Sequence, residues 1–174
     1  EYTDCFGFTE EEVFSVLDEY GLSEKKQEVK DWYDGFIFGS RRDIYNPWSI
    51  INYLDTRRLG TYWVNSSSNS LIGKLIREGS SEIKIVMEDL LKGEAFHTAF
   101  DEQIIFSQLD QGADAVWSLL LASGYLKAEE AAFNPELGKM EYTLTLTNRE
   151  VYFMFQHMVE NWFKGIRPIH NAFL

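Results

Sequence analysis

Apolar residues recur along the chain at two spacings, and helical spacing dominates the first half. Val13, Val16, Leu17 and Tyr20 form one stripe. Thr9 followed by Glu12 makes a capping box ahead of it, Phe8 is placed to staple onto Val13, and Gly21 offers a left-handed stop. A second helix is predicted over about 23–33, with Val29, Trp32 and Tyr33 inward. Two short extended pieces follow, and Gly39 and Ser40 permit a tight turn between them. Asn46-Pro47-Trp48-Ser49 opens a third helix with Pro47 at its first position, where a missing N–H costs nothing, and with Ile50, Ile51 and Leu54 inward. A polar turn at 65–69 caps a helix over 70–77 that Gly79 ends. Ser80 or Ser81 caps the next, whose stripe is Ile83, Val86, Met87, Leu90 and Leu91, before Gly93.

The second half adds a period of two. Residues 95–106 read as extended or loop, Asp114 caps a helix over 115–123, and Gly124 ends it before a strand over 125–133. After turn residues at 134–138, Tyr142, Leu144 and Leu146 alternate with Thr143, Thr145 and Thr147. Thr147 and Glu150 form a second capping box, opening an amphipathic helix with the stripe Val151, Met154, Phe155, Met158, Val159 and Trp162. The order is helices, then helix–strand–helix–hairpin–helix. It predicts a mainly α (α+β) fold: a helical bundle with a short hairpin, followed by a winged-helix-like unit. The seam is expected near 78–81, dividing the chain into 1–79 and 80–174.

Composition narrows the chemistry. The chain has 174 residues, of which 45% are hydrophobic and 16% aromatic, enough for a sizeable core. Its net charge of −12 repels phosphate backbones and disfavours nucleic acid. The single cysteine, Cys5, makes no internal disulfide and no thiolate zinc site, which suits a cytoplasmic protein. No apolar run reaches the ~18 residues of a membrane helix. No Walker A loop precedes Lys74 or Lys164, and His97, His157 and His170 lack metal-ligand spacing. Glu28-Val29-Lys30 and Glu82-Ile83-Lys84 resemble part of a metal-nuclease motif, but both fall on predicted helices. Glu129 and Glu130 stand where a DNA-reading wing carries basic residues. The aromatics Trp32, Tyr33, Tyr45, Trp48, Tyr62 and Trp63 remain. They form either a small core beneath the hairpin or a surface that stacks on a planar ligand or docks a partner. Trp32, Tyr45, Tyr62 and Trp63 are the docking candidates.

Ordered motifs carry a resemblance. Phe6-Gly7-Phe8-Thr9-Glu10-Glu11-Glu12-Val13, Trp32-Tyr33-Asp34-Gly35-Phe36, Tyr45-Asn46-Pro47-Trp48-Ser49-Ile50, Tyr62-Trp63-Val64-Asn65, Leu119-Leu120-Leu121-Ala122-Ser123-Gly124-Tyr125-Leu126 and Thr147-Asn148-Arg149-Glu150-Val151 succeed one another. Together they resemble the bacterial AAA-ATPase-like family, with Phe36 and Ala122 standing where members more often have Tyr and Phe. The resemblance implies the lid and winged-helix portion of such a protein. An ATPase core holding ATP and Mg would precede Glu1, and a PD-(D/E)xK nuclease-like domain would follow Leu174. It implies no catalytic residue and no cofactor held in this segment. By analogy with related signalling ATPases, it makes Asn46, Pro47 and Trp48 the nucleotide-facing candidates. The expected role is regulatory: coupling nucleotide state to an effector domain. The alternative is a protein-interaction module without nucleotide. Self-association through surfaces left by the absent domains is a further expectation.

Overall fold

The computed structural model describes residues 7–38, 41–65, 67–100 and 113–164. The expected features at Cys5, at 39–40, at His170 and at the side chain of Trp162 lie outside the described residues. The elements are β1 (Phe8–Thr9), α1 (Glu10–Glu19), α2 (Lys26–Tyr33), β2 (Phe36–Phe38), β3 (Arg41–Tyr45), α3 (Pro47–Thr56), α4 (Ser67–Arg77) and α5 (Ser81–Leu91). They continue with β4 (Phe96–Phe100), α6 (Ala113–Ala122), β5 (Leu126–Asn134), β6 (Lys139–Leu146) and α7 (Arg149–Lys164). Short 3-10 turns, Ser23–Lys25 and Tyr62–Asn65, precede α2 and α4. The fold is α+β, with two antiparallel three-stranded sheets in the orders β1-β3-β2 and β4-β6-β5.

Local signals set most boundaries. Thr9 Oγ1 accepts the Glu12 N–H and the Glu12 side chain returns to the Thr9 N–H, closing the expected box. At the other end, Leu22 N–H reaches Leu17 O at 2.8 Å and Gly21 N–H reaches Asp18 O at 3.2 Å, with Gly21 at φ 71°. This pair of hydrogen bonds across a left-handed residue is the Schellman stop. The same pair recurs after α6, from Tyr125 N–H to Leu120 O and from Gly124 N–H to Leu121 O.

Several local expectations give way: α4 begins at Ser67, inside the polar turn expected to cap it, and Ser80 precedes α5 without a side-chain cap. Helix α6 starts at Ala113, ahead of Asp114. Ile51 is 53% exposed, because α3 turns Ile50 and Tyr53 to the core and Ile51 falls off that stripe. The cap of α7 is Asn148, whose Oδ1 accepts the Val151 N–H at 3.0 Å. Thr147 Oγ1 instead donates to Gly124 O, and Glu150 is buried.

Two apolar clusters form. The first gathers Val13, Leu17, Leu22, Val29, Tyr33, Tyr45, Ile50 and Tyr53 from α1 to α3 and their sheet. The second is larger and spans α4 to α7 with the second sheet, around Trp117, Leu120, Tyr125, Leu144, Met154 and Phe155. Ile72 and Ile76 of α4 pack into the second cluster. The chain therefore passes from one core to the other ahead of α4, before the turn at 78–81. Tyr62 packs on the first cluster and Trp63 on the second.

Candidate functional site at the junction of the two cores

The junction is built first from backbone. Gly35 sits at φ 112°, and a Cβ there would stand 2.7 Å from Thr147 O. Gly124 sits at φ 87°, and a Cβ there would stand 2.6 Å from the Phe36 ring. Both positions need glycine for conformation and for close approach. The segment entering β2 thus lies directly against the turn after α6 and the turn before α7. Asn148 fastens it: its Nδ2 donates to Asp34 O at 2.8 Å while its Oδ1 caps α7. Thr147 N–H adds a bond to Tyr125 O at 3.2 Å.

Aromatic rings close over this seam. Trp63 stacks on Tyr125 with centroids 4.7 Å apart and meets Phe36 edge-on at 5.3 Å. Trp32 of α2 stacks on Phe153 of α7 at 5.1 Å. Such pairs contribute about 0.5–1.5 kcal/mol each beyond area burial.

At the centre lies Glu150, wholly buried. Ser49 Oγ, 101 residues earlier, lies 2.8 and 2.9 Å from its two oxygens. The Trp63 N–H donates to it at 3.1 Å, and the Tyr62 N–H is directed at it too. No described cation pairs with it. Burial pushes its carboxyl up to about 7, against the opposing pull of these donors.

A second ionic group flanks the seam. Lys30 bonds Glu10 and lies 3.4 Å from Asp34 and 3.9 Å from Asp43. Tyr45 donates its hydroxyl to Glu10 at 3.1 Å. Burial pushes Asp34 up to about 6, with the neighbouring Asp43 carboxyl adding to the rise. Asp34 Oδ1 is buried and accepts no conventional donor. Beside this group opens a cleft of about 500 Å³, whose lining includes Lys30, Asp34, Lys127, Asn148, Arg149 and Tyr152. Among the described residues, no cluster of three or more His, Cys, Asp or Glu is arranged to hold a metal ion. No described helix is long and apolar enough to cross a membrane.

The sequence candidates divide sharply. Asn46 caps α3, its Oδ1 accepting the N–H groups of Trp48 at 2.9 Å and Ser49 at 3.3 Å. Pro47 has no N–H, so the first turn of α3 has no free donor to offer a phosphate. Trp48 is 60% exposed, with its indole N–H donated to Tyr62 O at 3.0 Å. What it presents is a ring face. Of the docking candidates, Tyr45 is wholly buried and offers no surface. Trp32, Tyr62 and Trp63 are half-buried, with Trp32 and Trp63 spent on Phe153, Tyr125 and Phe36. Ser49, Asp34 and Glu150 were not singled out by sequence as site residues. Glu150 carried one signal: it stands one helical turn before Met154, on the buried side of an amphipathic helix. Compared with protein-family models, curated proteins and solved structures, the chain matches none.

Proposed function

We propose that this chain is a non-catalytic lid and winged-helix segment that transmits a nucleotide-dependent movement from an ATPase core to an effector domain. ATP and Mg would be held by residues outside it. The observation that carries the reading is the junction. Five of the six motifs behind the family resemblance meet there, at Asp34-Gly35-Phe36, Ser49, Tyr62-Trp63, Gly124-Tyr125 and Thr147-Asn148-Arg149-Glu150. A segment that passes on a rigid-body movement needs its two halves fastened, and these contacts fasten them. The winged-helix assignment draws support from the sheet order β4-β6-β5, with α5 ahead of β4, α6 between β4 and β5, and a β5–β6 hairpin as the wing. Glu129 and Glu130 are exposed on that hairpin and oppose a nucleic-acid role. Trp48 keeps a ring face open for an adenine. In a protein carrying both an ATPase core and this segment, Trp48→Ala is expected to weaken nucleotide binding. Unchanged affinity and hydrolysis would contradict the lid reading.

A second reading rests on Trp48 and Ile51, which are 60% and 53% exposed and stand three residues apart on one face of α3. They form an apolar patch suited to a protein partner or a second copy. Light scattering of the wild-type chain and of Ile51→Asp separates the cases. Concentration-dependent association lost in the variant supports docking, and a monomer in both opposes self-docking through this patch.

A further inference from the structure

The junction contains a group whose charge the fold does not neutralise. Glu150 is fully enclosed, and the groups that bear on its charge are neutral donors. From α3 comes the Ser49 hydroxyl, and from the Tyr62–Asn65 turn come the Tyr62 and Trp63 N–H groups. On α2, Tyr33 feels the Glu150 charge, but its hydroxyl is engaged with Gly60 and burial pushes its ionisation well above the usual phenol range. On α7 itself, Arg149 is exposed and lies over the Phe153 ring. Lys30, also on α2, is occupied by Glu10, Asp34 and Asp43. The network suits either protonation state. Ionised, Glu150 accepts from Ser49 and from the Trp63 N–H. Protonated, it donates its O–H to Ser49 Oγ and still accepts from Trp63. Only the ionised state carries an unpaired buried charge.

We propose that Glu150 is a proton-controlled latch on the junction: its neutral carboxyl closes the contact among α3, the Tyr62–Asn65 turn and α7, and its ionisation loosens that contact. The inference concerns the junction alone and holds whether or not the chain serves as a nucleotide lid. The direction follows from linkage. A carboxyl that burial pushes from 4.5 up to about 7 stabilises the closed form fully below 4.5. That contribution is lost as pH rises through about 7. Between these limits the opening of the junction grows about tenfold per pH unit, so opening at pH 8 exceeds opening at pH 4 by roughly two hundredfold.

The test is an NMR titration of the Glu150 carboxyl carbon in the full chain, with hydrogen exchange of the Trp63 amide followed in the same samples. The expected midpoint lies near 7. The protection of the Trp63 amide should fall between about pH 4.5 and 7 in the wild type, level off above that, and stay flat in Glu150→Gln, whose neutral amide imitates the protonated state. A midpoint between 4 and 5, or the same pH course in both proteins, would overturn the proposal. Should Glu150→Gln not fold, Ser49→Ala provides a second reading. Losing the hydroxyl that donates to the ionised form is expected to move the midpoint upward, and an unmoved midpoint would equally overturn the latch.

Discussion

At Gly124 the backbone turns with φ 87° and the Phe36 ring occupies the place of a Cβ, whereas around Gly138, at φ 65°, the space is open. The two glycines therefore separate conformation from contact. Gly138→Ala should lose only the left-handed penalty of about 1–2 kcal/mol. Gly124→Ala adds overpacking of about 1–3 kcal/mol, so its urea midpoint should fall well below that of Gly138→Ala. Equal midpoints would mean that Phe36 yields without cost. The acidic residues set the pH response. Asp34 has its carboxyl pushed from 3.8 up to about 6, so its contribution to stability is present below 3.8 and is lost as pH rises through 6. Asp34→Asn, neutral at every pH, should match the wild type near pH 4 and exceed it at pH 8 in urea denaturation. A variant weaker than the wild type at pH 8 would show that the Lys30 contact outweighs the cost of burial.

At the scale of elements, short-range signals were legible and long-range ones were not. Thr9 with Glu12, Gly21, Asn46 with Pro47 and Gly124 act within a few residues of themselves, and each limits its helix as the sequence indicates. Asn46→Ala should cost about 1 kcal/mol by denaturant unfolding, since it releases the Trp48 and Ser49 N–H groups. A neutral substitution would mean that water caps α3 equally well. Thr147 and Glu150 satisfied the pattern of a capping box, yet their side chains went to Gly124 and Ser49. A pattern of spacing carries no information about a partner 101 positions away. The aromatic concentration from Trp32 to Trp63 was visible in composition, but its use was not. Tyr45 became core, Trp32 and Trp63 became the seam, and only Trp48 remained largely outside.

At the scale of the molecule, a charge of −12 surrounds two apolar clusters, and the residues that most suggested a ligand site largely serve to join those clusters. Glu150, Trp63, Asn148 and the close approaches at Gly35 and Gly124 are expected to make the two cores one cooperative unit. Native-state hydrogen exchange reads this directly, because Val29 is wholly buried in the first core and Leu144 in the second. The amides of Val29 and Leu144 should open with the same free energy in the wild type, and Trp63→Ala should lower both or set them apart. An opening of Val29 at much lower free energy than Leu144 in the wild type, unchanged by Trp63→Ala, would contradict the account.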